Sequence, residues 1–174
     1  THVGDGPTGR PSEFDDETIM SSLEKAFLSA IRITREVVPY MKQQRWGRII
    51  HVLPHWGNYP DGGANLSTTS QLALMGYSKM LSNELAPFNI TVNNLLSGPI
   101  QTEYLNSVFE ARAHEQGRAL AELVKETTGA IPMRRLGKPE EVADLVAFLA
   151  SARAGYLTGT NVFLDGGAHQ EITR

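Results

Sequence analysis

Apolar positions recur at helical spacing through "ETIMSSLEKAFLSAIRITREVVPYMKQQ", where Leu23, Phe27, Ile31, Thr34, Val38 and Met41 line one side and predict a long helix. Ala26 and Ala30 on it permit close packing against a neighbouring helix. The pattern then changes to a short strand, "WGRIIHVLP", over roughly residues 48–53 and stopping near Pro54. A glycine-rich loop, "HWGNYPDGGAN", leads into "LSTTSQLALMGYSKMLSNELAP", whose apolar residues Leu72, Leu74, Met75, Tyr77, Met80, Leu81 and Leu85 spread over more than one face. Such a helix is expected to pack against both a sheet and another helix. "NITVNNLL" supplies the next strand, and the polar stretch 103–127 reads as one or two short helices forming a mobile cap or solvated flank. In "GKPEEVADLVAFLAS", Pro139 suits a first helical turn, Glu140 and Glu141 favour its positive end, and Val142, Leu145, Val146 and Leu149 form the buried stripe. "TGTNVFLDGG" closes the series with a strand and a turn. Alternation of helices and strands predicts an α/β sheet covered by its crossover helices. Its few strands leave an edge that another segment, a subunit or water must satisfy, unless the first residues add a short strand.

At 174 residues the chain fits one domain with a substantial core. A net charge of -3, with dispersed basic residues, argues against DNA or RNA as ligand. The absence of cysteine excludes disulfides and thiolate catalysis and suits a reducing compartment. With no membrane-length apolar run and no secretory pattern, a cytoplasmic protein with no membrane partner is expected. The opening "THVGDGPTGRPSEFDD" lacks an initial methionine, consistent with processing or with a region before Thr1.

Candidate chemistry is sparse. Four-residue spacing puts Ser67 and Gln71 on one helix face, where they could position a polar ligand. The plainer roles are a helix N-cap for Ser67 and a structural or solvent-facing amide for Gln71. Tyr77 and Lys79, two residues apart, should not share a face, and packing and solvation are their expected roles. His51 and His55 titrate near neutral pH in principle, and Tyr59, Asp61 and Trp56 could meet a ligand from the same loop. His2, His114 and His169 form no compact ligand set, so no metal site is expected.

Five stretches, "LSAIRITREVVPYM", "GRIIHV", "GYSKMLSNELAPFNITVNNLLSGPIQTE", "IPMRRLGKPEEVADLVAFLAS" and "YLTGTNVFLDGG", resemble in order the short-chain dehydrogenase/reductase family, particularly its 3-oxoacyl-carrier-protein-reductase-like branch. The resemblance implies a Rossmann-like, doubly wound parallel sheet, of which residues 1–174 are the C-terminal portion as a single partial domain. "THVG" looks like an altered family Asn-Asn-Ala-Gly segment with Gly4 retained. No strand, glycine-rich turn and helix of the dinucleotide-gripping kind occurs in the 174 residues. NAD or NADP is therefore implied by resemblance, while conventional binding is not expected if the chain truly starts at Thr1.

Family members transfer a hydride to or from a nicotinamide, with a tyrosine handling the proton, a lysine tuning it, a serine orienting the substrate oxygen and an asparagine supporting a relay. Alignment through Gly76 and Lys79 puts Ser67 at the tyrosine position, Gln71 at the lysine, Pro54 at the serine and Ala26 at the asparagine. Neutral groups thus replace the charged pair. The "SGPIQTE" loop is the best surviving cofactor-side resemblance, carrying Gly98, Ile100 and Thr102, with Ser97 in place of a proline. Asp165, Gly166 and Gly167 resemble the family's terminal turn, whose expected role is backbone geometry. Relatives share the long helix and the helix that follows in a four-helix surface, which implies a homodimer or homotetramer, or pairing with a related active subunit. Three functions stay open: an NAD(P)-linked oxidoreductase acting on a carbonyl/alcohol pair, a pseudoenzyme or assembly subunit, and a ligand-binding module without turnover.

Overall fold

The computed structural model describes residues 1, 6–54 and 64–169. Its centre is a three-stranded parallel sheet in the order β2-β4-β5, made of β2 (Gly47–Pro54), β4 (Ile90–Ser97) and β5 (Asn161–Leu164). β4 is buried along nearly its whole length, as a parallel strand covered on both faces must be, and its apolar run "ITVNNLL" meets that demand. β2 alternates between buried and half-buried positions. Thr1 extends the sheet on the outer side of β2: its amino group donates to the Ile50 carbonyl at 2.8 Å, and its carbonyl accepts from the Val52 amide at 2.8 Å. A separate two-stranded antiparallel pair joins β1 (Thr8–Gly9) to β3 (Ala64–Asn65).

On one face lie α1 (Asp16–Leu23), α2 (Ser29–Gln44) and α3 (Ser67–Leu85); α6 (Pro139–Ala150) packs against β2 and β4. The long helix expected over 17–44 is interrupted by a π-helical turn at Glu24–Leu28 between α1 and α2. Asp15 starts α1 by accepting the Thr18 amide at 2.8 Å, and hydrogen bonding to the Thr18 side chain, then to that amide, holds its carboxyl below the usual range. Ala26 and Ala30 let this layer close on Leu53 and Leu74, while Ile49, Leu81, Leu85, Ile90 and Val92 form a second cluster nearer the opposite end of the strands.

The 103–127 stretch is a correction to the expected solvated flank. It folds as α4 (Glu103–Gln116) and α5 (Leu120–Ala130), which bury Leu105, Phe109 and Leu123 against each other. In α6 only Leu149 of the expected stripe is fully buried; Val142, Leu145 and Val146 are half-buried. Pro139 opens that helix as expected, and Glu141 accepts the Lys138 amide at 2.7 Å and both Arg135 guanidinium nitrogens. The Arg135 bonds, then the Lys138 amide, hold the Glu141 carboxyl down at about 2.

Candidate functional site

Ser67, the first residue of α3, lines a cavity of about 480 Å³. Its wall carries Glu17, Thr18, Ser21 and Ser22 from α1 and Lys25 with Ala26 from the π-turn, closed at the rim by Gly6 and Pro7. Positions 18, 21, 22 and 25 follow the i, i+3, i+4, i+7 rule and so share one helix face. The Ser22 and Ser70 hydroxyls meet at 3.5 Å in the buried seam between the two helices. A π-turn adds one residue to a helical turn and redirects the side chains around it, and such turns recur at functional sites.

The Gln71 amide donates to Ser67 Oγ at 3.2 Å, so the expected shared face is also a hydrogen-bonded pair. The N-cap reading of Ser67 is corrected: Leu66 occupies the cap position without a side-chain bond, and Ser67 is a buried N1 residue. Gln71 is half-buried rather than simply solvent-facing. Pro54, at the serine position, ends β2 and does not line the cavity. Tyr77 packs edge-on against Phe27, with ring centroids 6.3 Å apart. Lys79 is exposed, with its ammonium 3.3 Å from the Gly159 carbonyl.

His51 is fully buried on β2, beside Asn94 of β4 in the strand register. Its Nδ1 lies 2.6 Å from Thr1 Oγ1, and its Nε2 has no partner among the described residues. Burial, and secondarily the Thr1 ammonium, push its pKa down to about 4, so the expected neutral-range titration does not hold. Along the same sheet row, Asn94 accepts from Ser78 Oγ at 3.0 Å and donates to Asn161 Oδ1 at 2.8 Å. This polar row braces the strands. His2, Gly4, His55, Trp56, Tyr59 and Asp61 lie outside the described residues. Among the described residues no cluster of three or more His, Asp or Glu is suited to a metal ion.

The cofactor-side candidates sit on the loop between β4 and α4. Gly98 is buried, its amide donates to the Leu164 carbonyl at 2.9 Å, and a Cβ there would fall 2.8 Å from Asp165 Cα. Only glycine allows so close an approach of two backbones. Ile100 bridges to Gly137 and lines a second cavity of about 300 Å³, walled by Met133, Arg135, Phe163 and Asp165. Thr102 caps α4 by accepting the Leu105 amide at 3.1 Å. Asp165 accepts the amides of Gly167 (2.9 Å) and His169 (2.8 Å), which fixes the terminal turn. The two cavities share no lining residue: Ser67 opens to one and Ile100 to the other. Sequence reasoning missed the α1 face. The stripe Thr18, Ser21, Ser22, Lys25 in "TIMSSLEK" was the available signal.

A family model described as enoyl-(acyl carrier protein) reductase matches residues 3–169. The chain is 35% identical over 171 residues to the NADPH-dependent reductase BacG of Bacillus subtilis (strain 168), covering 95% of this chain and 65% of that protein. It is 36% identical over 155 residues to the 3-oxoacyl-[acyl-carrier-protein] reductase FabG of Aquifex aeolicus (strain VF5), covering 87% and 55%. Among solved structures, YwfH, an NADPH-dependent reductase involved in bacilysin biosynthesis, superposes with a TM-score of 0.87 at 31% identity, covering 98% of this chain and 65% of that one. L-sorbose reductase from Gluconobacter frateurii, solved with NADPH and L-sorbose, gives a TM-score of 0.84 at 26% identity, with the same coverages. The chain thus spans about two-thirds or less of the length of these relatives.

Proposed function

The chain belongs to the short-chain dehydrogenase/reductase family, and from that premise we propose that it is the substrate-side portion, a single partial domain, of a cytoplasmic NAD(P)H-linked reductase acting on a carbonyl/alcohol pair. The observation that carries this reading is the polar cavity beside Ser67, at the position where the family keeps its proton donor. NADPH-dependent relatives favour NADPH over NADH. The β4–α4 loop is the candidate nicotinamide end of such a cofactor, because Thr102 places a hydroxyl at a helix N-terminus. When bound, the cofactor supplies the hydride. The residues of this chain would orient the substrate oxygen by the Ser67 and Gln71 pair, which is neutral and acts by hydrogen bonding rather than by charge.

A homodimer or homotetramer built on α2 and α3 belongs to the same reading. Ile33, Val37 and Tyr40 form an exposed stripe on α2, and Leu72 and Met80 flank the bare Gly76 on α3. No helix among the described residues is long and apolar enough to cross a membrane.

The test is NADPH oxidation by the full-length encoded protein against a panel of ketones, run beside direct NADPH binding and native mass measurement. Turnover with a ketone is the expected result. Binding of NADPH without turnover across the panel would instead favour the pseudoenzyme, which the replacement of Tyr, Lys and Ser by Ser67, Gln71 and Pro54 motivates. A clean monomer would defeat the α2/α3 interface.

A further inference from the structure

The cavity beside Ser67 contains one cationic and one anionic side chain, Lys25 and Glu17, among hydroxyls. Glu24, the neighbour best placed in sequence to neutralise Lys25, is held by Arg32, and Lys25 has no ion-pair partner among the described residues. Helical side chains lean toward the N-terminus, so the Lys25 stem lies over the turn that carries Ser21 and Ser22. An ammonium with adjacent hydroxyl donors is an anion-binding arrangement, because the cation supplies charge while the hydroxyls satisfy the remaining lone pairs. Glu17 lies eight residues away, about 12 Å along a helix axis, and repels the same anion. The wall is therefore polarised end to end.

We infer that Lys25, with Ser21 and Ser22, binds a carboxylate on the substrate, so that the compound reduced is a keto acid rather than a neutral ketone. This rests on the reading that the Ser67 cavity is the substrate site. Among the described residues that line this cavity, Lys25 carries the only positive charge. Lys25 is exposed on the cavity wall, where an ammonium without an ion-pair partner selects for the opposite charge, and Glu17 sets which way round the ligand enters.

The test compares acetoacetate with its neutral analogue acetoacetamide, titrated into the full-length protein by saturation-transfer NMR, for wild type, Lys25→Gln and Lys25→Arg. Wild type should prefer acetoacetate by about tenfold, the size of one charge-assisted hydrogen bond. Lys25→Gln should erase most of that preference, whereas Lys25→Arg should keep it and serves as the control for folding. Equal binding of the two probes by wild type, or a preference that survives Lys25→Gln, overturns the proposal. A loss of NADPH affinity in Lys25→Gln, without loss of the acetoacetate preference, overturns it too by assigning Lys25 to the cofactor. NADPH oxidation is scored separately. A Lys25-dependent preference without oxidation sinks the reductase reading and leaves the subsite, and oxidation of neutral ketones with no such preference does the reverse.

Discussion

The two ends of α3 differ in what holds their sequence in place. From Leu74 onward the helix presents Leu74, Ser78, Leu81, Ser82 and Leu85 to the interior, where strands β2 and β4 and helix α2 leave little freedom. At the other end Ser67 lines the cavity, Ser70 meets Ser22 of α1, and the half-buried Gln71 donates to Ser67. The buried end carries "GYSKMLSNELAP", and the first turn carries the neutral pair Ser67 and Gln71. Packing constrains a side chain from all sides, whereas a cavity constrains it only through what enters. The family's helix can therefore persist while its chemistry changes.

The sharpest way to break that contrast is to cut into the buried end. Leu74 is fully buried between Ala26, Ala30 and Leu53, so Leu74→Ala removes contacts and leaves a void. The expected loss is about 3 to 4 kcal/mol, read from the midpoint of urea denaturation. A loss below about 1 kcal/mol would mean that the cavity beyond Ala26 lets the core collapse, and the two ends would not differ in kind.

The polar row of the sheet offers a second lever on the buried region. The folded-state pKa of His51 is about 4, below its ordinary value of 6.5. Between those values the unfolded chain binds more protons, so stability rises with pH. The contribution is complete above about pH 6.5 and is lost as the pH falls toward 4, on the order of 3 kcal/mol in all. Denaturation midpoints measured across that window should show the slope, and His51→Gln should remove it. A flat wild-type profile would show that the unpartnered Nε2 accepts a proton without cost.

The sheet and its helices were legible because their signals are local and periodic: the apolar run in "ITVNNLL" and the Pro139, Glu140, Glu141 start of α6 need no knowledge of partners. The π-turn was not, because the three- and four-residue spacings of Leu23, Phe27, Ile31, Thr34, Val38 and Met41 carry no mark of a wider turn. The buried contact of Leu105 and Phe109 with Leu123 escaped for another reason. Its members are split between two short helices, and each helix alone reads as polar. At the site, the Ser67 and Gln71 face followed from spacing, but its partner wall did not. Thr18, Ser21, Ser22 and Lys25 look like an ordinary solvated stripe until α1 is placed beside α3. His51 looked titratable because its alternating neighbours reveal a strand, not how completely that strand is covered.

A milder test compares the cavity with the β4–α4 loop. Thr102 serves α4 through one capping bond at an exposed position, and Thr102→Ala should cost about 1 kcal/mol in thermal or urea unfolding. Thr102→Ser keeps the acceptor and should recover most of it. A loss well above that value would indicate that the loop is held by more than its cap, making it the more constrained of the two regions.

The smallest effect is expected at Gln71 itself. Gln71→Ala deletes the donor to Ser67 Oγ, a neutral hydrogen bond between a buried hydroxyl and a half-buried amide. Such a bond contributes about 1 kcal/mol net, and the half-buried position lets water replace part of it, so the loss should be about 0.5 kcal/mol. Gln71→Lys puts a cation at the same half-buried position, where its long stem can carry the ammonium to water, so stability should again change by about 0.5 kcal/mol. If both variants fall within that range in urea denaturation while Leu74→Ala does not, the cavity end of α3 is held by function alone. A loss of about 3 kcal/mol at Gln71 would place this amide in the structural core and dissolve the distinction between the two ends of the helix.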